Sequence, residues 1–502
     1  ALDAIGTIYD KLKQYPKALE YYQQALAISQ QIKDQQAAGN ALEHIGGVYT
    51  DLQQYSQAEV FLQKALSIRQ QLGDKAGEGR NLNSIASFYF SQRNYTKSLD
   101  FLQQSLAILQ QIGDRSNERI ALSNIGNILE RKKQPLLAII FYKESVNVTE
   151  SIRKEIKVLS REQQQSFTDT ISDTYRHLAN LLLKQNRATE AQQVLDLLKV
   201  QELDEYLKNV RGNEQTAQGV DLLPPEQQIY QKYSQALQVN KELAQLRSIP
   251  IDQRTPAQQQ RIAELEKNRL SQNTEITDFV NNPDVIALLQ QLQTAKGRRL
   301  NLANINRLQE TLRNLSNPAV ILYPIILEDR LELVLVRPNS APINQVVPVK
   351  REELNSAIVQ FRKALRDPYS EPTEPARKLY NILIKPVEKE IKQSKAKTII
   401  YAPDAKLRYI PIAALFDGKK WLVQRFAINY ITAARLTDIK PIPRHNPHVL
   451  AAAFTKGNFN FTVANHQVSF DGLQFAGLEV NELAATLQNT TILLDQAFSK
   501  QA

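Results

Sequence analysis

Residues 397–426 read KTIIYAPDAKLRYIPIAALFDGKKWLVQRF. Thr398, Ile399, Ile400 and Tyr401 form a short apolar run stopped by Pro403 and Asp404, the pattern of a strand buried on both faces. Leu407 to Leu415 is a second apolar segment, Asp417-Gly418 suits a tight turn, and Trp421 to Tyr430 alternates as a strand does. On pattern alone this is a strand, a loop and a hairpin inside an α/β layer.

The flanking sequence has the same texture. Upstream, Val320 to Leu327 and Leu331 to Arg337 are two predicted strands around Glu328-Asp329-Arg330, and Asn344 to Val349 adds a third. Glu352 to Leu365 and Glu374 to Lys392 carry helical periodicity. Downstream come predicted strands at Phe426 to Ile431 and Val449 to Phe454, a helix at Leu478 to Leu487 and a strand at Thr491 to Leu494. Strands alternating with helices predict a sheet covered by helices.

The amino-terminal part is different, because it aligns with itself at a period of 40. Ile5-Gly6, Ile45-Gly46, Ile85-Ala86 and Ile125-Gly126 fall in register. So do Tyr9, Tyr49, Tyr89 and Leu129, then Ala18, Ala58, Ser98 and Ala138. Small residues let two antiparallel helices approach, and the aromatic and aliphatic phases fill the space between them. Asp34, Asp74 and Asp114 stand where N-caps are needed, with Gly73 and Gly113 suited to the preceding helix end. Residues 1–150 are predicted to form four stacked helical hairpins. A degenerate fifth unit and exit helix follow over 151–210, after a spacer at Ser151 to Thr170. Stacked hairpins leave a concave face, on which Tyr22, Asn40, Arg80, Asn83 and Asn124 are the candidate partner-binding positions.

Between the two regions, residues 211–310 read as a long helical connector rich in Gln, Glu and Leu. Pro224-Pro225, Pro250, Pro256 and Asn282-Pro283 punctuate it, and Gly212 to Gly219 is the linker candidate. Leu237, Leu243, Leu246, Ile262, Leu265 and Leu270 predict a helical hairpin packed along the α/β region.

Composition narrows the chemistry. The 502 residues contain no Cys, which excludes disulfides, cysteine-ligated zinc and a cysteine nucleophile from within them. The net charge of +10 is spread along the chain with acidic residues between. It permits nucleic-acid contact without requiring it, a solvated basic surface being the simpler account. No run of about 20 apolar residues or signal-like segment occurs, so the expectation is a cytoplasmic protein without a membrane partner. No cofactor or metal site is expected. His445 and His448 sit among Pro443, Arg444 and Pro447 with no carboxylate adjoining. His466, Ser469 and Asp471 lie too close together in sequence, in one expected loop, to converge as a serine triad. His44 and His177 have no second ligand at metal spacing.

The 40-residue units resemble the tetratricopeptide repeat in a longer variant. The stretches TIIYAPDAKLRYIPIAALFDGKKWLVQRFAINYI, HVLAAAF and GLEVNELAATLQNTTILLDQAFSKQA resemble the CHAT domain, a caspase-like, separase-related peptidase fold often fused to such repeats. That resemblance spans 311–502, with Pro403, Asp404, Leu407, Arg408, Pro411, Ala414, Leu415 and Asp417-Gly418 carrying it. It implies a Cys/His dyad, the histidine in a strand reading roughly HLATHG and the cysteine after one reading roughly LSACET. Neither motif is present. By the family's order both would follow the strand at Thr491 to Leu494, so the expectation is a fragment truncated before the dyad and inactive by itself. The intact protein would be a regulated cysteine endopeptidase whose repeats bind a protein or peptide, or else a non-catalytic scaffold. Asp404 and Arg408 follow a buried strand, where α/β sites form. They are candidates for shaping a substrate pocket, or for a buried pair that fixes the loop.

Overall fold

The computed structural model describes residues 1–155, 161–206, 219–247, 249–271, 279, 282–293, 302–367, 369–431, 449–463, 466–472, 475–487 and 489–497. It divides into two units, Ala1–Ile439 and Lys440–Ala502.

The first unit begins with five helical hairpins. They are α1 (Leu2–Lys11) with α2 (Tyr15–Gln31), α3 (Gln35–Asp51) with α4 (Tyr55–Leu72), and α5 (Lys75–Ser91) with α6 (Tyr95–Ile112). Then come α7 (Arg115–Arg131) with α8 (Pro135–Glu155) and α9 (Arg161–Lys184) with α10 (Ala188–Tyr206). The predicted caps are in place. Asp34, Asp74 and Asp114 accept from the backbone N–H of Ala37, Gly77 and Asn117 at 2.9, 2.9 and 3.1 Å. Gly73 and Gly113 adopt φ of +67° and +71°, the left-handed helix terminus that a side chain disfavours. At Gly6 and Gly46 an added Cβ would lie 2.6 Å from Tyr22 and Leu62 of the paired helix, which is why those phases are small. Most of the expected spacer at Ser151 to Thr170 is helix, because α8 runs to Glu155 and α9 starts at Arg161.

The connector follows as α11 (Pro224–Ala236), α12 (Gln238–Arg247), α13 (Pro256–Ser271), α14 (Pro283–Gln293) and α15 (Leu302–Arg313). Pro224, Pro256 and Pro283 open their helices, where the missing N–H costs nothing. Leu243, Ile262 and Leu265 bind α12 to α13. The hairpin reaches back to the repeats, since α12 packs on α6. Of the linker candidate Gly212 to Gly219, only Gly219 is among the described residues.

A five-stranded sheet completes this unit in the order β3-β2-β1-β4-β5. Its strands are β1 (Ala319–Ile326), β2 (Leu331–Arg337), β3 (Ser340–Val347), β4 (Thr398–Tyr401) and β5 (Ala427–Tyr430). β1 pairs antiparallel with β2 and parallel with β4, and β4 pairs parallel with β5. Alternation along β1 splits its side chains between two cores. Val320, Leu322 and Ile326 face the helices α16 (Arg351–Arg366) and α17 (Thr373–Leu383). Ala319, Ile321, Tyr323 and Ile325 join a core continuous with α6 to α11 and α14. The last repeats and the connector are therefore the second helical layer of the sheet.

Three expectations are corrected. Glu374 to Lys392 is not one helix: α17 ends at Leu383, Pro386 sits in a 3₁₀ turn, and α18 (Glu388–Gln393) follows. The start of Trp421 to Tyr430 is not strand but a 3₁₀ turn at Leu422–Gln424, and the apolar segment Leu407 to Leu415 before it holds two more, at Ala405–Tyr409 and Ile412–Ala414. Their apolar residues recur about every three positions and drop into the core under α17. His466, Ser469 and Asp471 lie on a strand, not in a loop.

The second unit holds β6 (Val449–Ala453), β7 (Asn458–Val463), β8 (His466–Asp471), α19 (Ala476–Thr486) and β9 (Thr490–Leu494). β6 and β9 are parallel, and β7 and β8 form an antiparallel hairpin.

Candidate functional site

Across the first four repeats the first helices approach each other more closely than the second helices do, so α1, α3, α5 and α7 form the inner face. Hydrogen bonds knit that face at intervals. Ser84 Oγ donates to Glu43 Oε1 at 2.6 Å, Asn124 Nδ2 donates to Asn83 Oδ1 at 3.0 Å, and Ser123 and Thr174 hydroxyls are 3.5 Å apart. Asn83 and Asn124 are thus brought together as one polar rung, with half-buried Arg80 one turn away. Asn124 also lines, with Ala86, Ser87, Phe90, Ser98, Leu102, Asn127 and Ile128, a cleft of about 100 Å³ between α5, α6 and α7.

Two of the expected groove positions do other work. Tyr22 is wholly buried, not groove-facing, because its ring fills the space Gly6 leaves open and its hydroxyl donates to Thr7 Oγ1 at 3.2 Å. Asn40 Oδ1 accepts from Arg69 Nη2 at 2.9 Å. Arg69 is itself buried, pairs with Glu43 at 2.5 Å and donates to the Gly77 carbonyl, which fastens the second repeat to the third. Sequence reasoning passed over Arg69, although the same phase of the neighbouring repeats holds Ser29 and Leu109. A lone charge in a buried phase was the available signal.

At the sheet, Asp404 is the junction. Pairing of β4 to β1 runs out at Tyr401 opposite Leu322, with one further bond from Ala402 N–H to the Leu322 carbonyl at 3.0 Å. The next backbone position of β1 pointing that way is Pro324, which has no N–H to satisfy. The one after is Ile326, whose N–H donates to Asp404 Oδ2 at 3.1 Å. The Asp404 side chain takes over where the strand ends. It is 2% exposed, and Arg176 of α9 lies 3.4 Å from the same oxygen. A second bridge runs from Arg330 Nη2, in the β1–β2 turn, to Asn180 Oδ1 of α9 at 2.9 Å. The ionic partner of Asp404 is thus Arg176 on the last repeat. Arg408 is half-buried, and its Nε donates to the Ala405 carbonyl within the turn at 3.1 Å. Ala405 stands at φ +45°, a strained setting for a residue with a side chain.

Beside the junction, Tyr401 is fully buried under Tyr430, with ring centroids 5.8 Å apart at 87°. Burial, with Tyr430 and Asp404 adding to it, pushes the Tyr401 hydroxyl well above its ordinary range. The Tyr430 hydroxyl accepts from Ile412 N–H at 2.7 Å and pins the following turn. Arg425 locks the Asp417-Gly418 turn by donating to Asp417 Oδ2 at 2.8 Å, Tyr380 Oη at 2.8 Å and Glu388 Oε1 at 2.6 Å. Burial drives the Tyr380 hydroxyl up to about 12 against the pull of Arg425.

A buried charge cluster fixes the connector to the repeats. Lys143 of α8, wholly buried, reaches Glu190 of α10 at 2.5 Å and Glu226 of α11 at 2.7 Å. Arg187 donates to the same two carboxylates at 2.5 and 2.6 Å. Burial pushes the Glu190 carboxyl up, yet Lys143 and Arg187 overcome it and hold the group down at about 2. The corresponding phase holds Gln23, Gln63 and Gln103 in the earlier repeats, exposed in the first two and buried in the third, so Lys143 puts a charge where the array has already closed over.

In the second unit, Asp495 ends β9 and ties down the segment after β6. Its Oδ1 accepts from the N–H of Thr455 and Lys456 at 2.6 and 3.1 Å, and its Oδ2 from Thr455 Oγ1 at 2.7 Å. Those donors, Thr455 N–H first, lower its pKa. His445 and His448 lie outside the described residues. No described helix is long and apolar enough to cross a membrane.

Residues 1–71 and 78–151 match the family model for the tetratricopeptide repeat, and residues 373–502 match that for the CHAT domain. The chain is a fusion of tetratricopeptide repeats to a CHAT domain. No curated protein matches it.

Proposed function

We propose that these residues form the partner-sensing and scaffolding part of a regulated caspase-like peptidase. The CHAT domain belongs with the caspase-like peptidases, and the repeats are a protein-interaction module. The observation that carries the reading is the Arg176–Asp404 contact, which joins the last repeat directly to the loop at the carboxyl end of β4. Ligands of open parallel sheets bind outside the carboxyl ends of the strands. A protein or peptide held along Arg80, Asn83 and Asn124 shifts the stack, the shift reaches α9, and α9 repositions Asp404 and the turn bearing Arg408. Pocket shape then depends on occupancy of the repeats, a coupling that both sites bias.

The 502 residues contain no cysteine. A thiol nucleophile therefore has to come from residues other than these. Where none is supplied, the same architecture serves as a non-catalytic scaffold. Two measurements separate the readings. Proteolysis by the full-length gene product that iodoacetamide abolishes supports the peptidase, and its absence with partner present leaves the scaffold. The coupling is tested in the chain itself by Arg176→Ala: hydrogen exchange over Thr398–Tyr409 is expected to accelerate about tenfold or more. Unchanged exchange there would refute the proposed route.

A further inference from the structure

The carboxyl half of α16 carries a face that neither the repeats nor the β4 junction uses. Leu354, Ala357, Ile358, Phe361 and Ala364 are buried toward the sheet. That leaves Val359, Arg362, Lys363 and Arg366 on the other side, spaced i, i+3, i+4 and i+7 so that they form one stripe. With Asp367 they line an open depression of about 370 Å³. The surface continues onto the turn after β4, where the Arg362 guanidinium lies 5.4 Å from the Tyr409 ring centroid and Lys406 is exposed.

Two properties set this face apart. Among the described residues, Arg362, Lys363, Arg366 and Lys406 form no ion pair, and the single acid there, Asp367, already accepts from Tyr369 N–H at 3.0 Å. Cations in a last helical turn complement the helix dipole, but that accounts for neither Lys406 nor the apolar surface between them. Val359 is 58% exposed and Tyr409 55%.

We propose that this face docks an acidic peptide segment of a partner protein. Its carboxylates meet Arg362, Lys363 and Arg366, and an aliphatic side chain rests on Val359 and the edge of Tyr409. Charge complementarity selects an acidic occupant, and the floor selects a peptide over a nucleic acid. The stripe from Val359 to Arg366 spans only about 10 Å at the rise of a helix, little for a phosphate backbone to follow. The ring face of Tyr409 that could stack on a base is taken by Arg362.

The test uses the complete chain and a fluorescein-labelled peptide of alternating Glu, Asp and Leu, read by anisotropy at low salt. Saturable binding is expected. Arg362→Glu with Arg366→Glu, Val359→Asp, and replacement of the peptide's acids by Gln and Asn should each weaken it by at least about tenfold. Arg80→Ala, in the repeats, should leave it unchanged. No saturable binding, equal affinity for the charge-reversed chain, or loss of binding in Arg80→Ala overturns the proposal. So does displacement of the peptide by a DNA oligonucleotide of equal charge at a lower concentration, which would assign the face to nucleic acid. The solvent-exposed Lys363→Glu gives an independent reading should the double variant melt early.

Discussion

His44 rests on the Tyr22 ring with centroids 4.9 Å apart, and its Nε2 lies 3.4 Å from Asp3. Burial lowers the imidazole pKa, but the hydrogen bond to Asp3 and the charges of Asp3, Glu43 and Asp10 outweigh it, leaving the net shift upward. A pKa raised on folding stabilises below the unfolded value of about 6.5 and is lost as pH rises through the folded value. The amino-terminal repeats are therefore expected to melt at a lower temperature as pH climbs from 6 toward 8. His44→Phe, which keeps the ring stack, should flatten that dependence, as circular dichroism melts would report. At this scale the sequence was legible where a repeat dictates a residue, as with Asp34, Gly6 and Gly73. It misled where the phase was not followed: Tyr22 looked like a groove residue, although Leu62, Leu102 and Tyr142 at the same phase mark a large buried side chain, packed at Gly6 as Leu62 is at Gly46. Arg176 was invisible, because its partner lies 228 positions away.

The connector is a set of short helices held by what they touch. Lys143, Arg187, Glu190 and Glu226 balance in charge, so removing one member leaves an uncompensated charge in the interior. Lys143→Met is expected to destabilise the docking of α11 by about 3–5 kcal/mol, visible as faster hydrogen exchange over Pro224–Ala236. Pairing it with Glu226→Gln should recover most of the loss. The depressed Glu190 carboxyl adds a pH signature, stability falling as pH drops from about 4.5 toward 2. Element types here were readable from proline positions and apolar periodicity. Their destination was not, since an apolar stripe says that a helix is covered without saying by what. The 3₁₀ turn at Leu422–Gln424 was misread as strand for a related reason: a short partly apolar run before a true strand is hard to tell from the strand itself.

Over the first unit, the hydrophobic interior is divided unequally. Two small clusters lie at the amino-terminal end, Ala18, Tyr22, Ile45 and Val48 joining repeats one and two, and Leu62, Leu82 and Ile85 joining repeats two and three. The later repeats, the connector and one face of β1 share a single large core. Two unfolding steps are expected in urea, the first in the amino-terminal repeats, with the fourth and fifth repeats melting together with the sheet. Deleting 1–72 should leave the second midpoint where it was, and one cooperative transition spanning everything would contradict this. The two architectures were evident in the sequence, the repeats by register and the sheet by Lys397 to Phe426. That they share an interior was not, because alternation in β1 reads identically whether its second face meets a helix of its own domain or of another.

The double-faced β1 bears on how such a protein can vary. A repeat gained or lost near α1 touches no residue of the sheet, whereas any change to α8, α9 or α10 must be matched on Tyr323, Ile325 and Asp404. Recognition can therefore be retuned at one end of the array by adding or dropping whole units, while the other end is kept from drifting by the domain it covers.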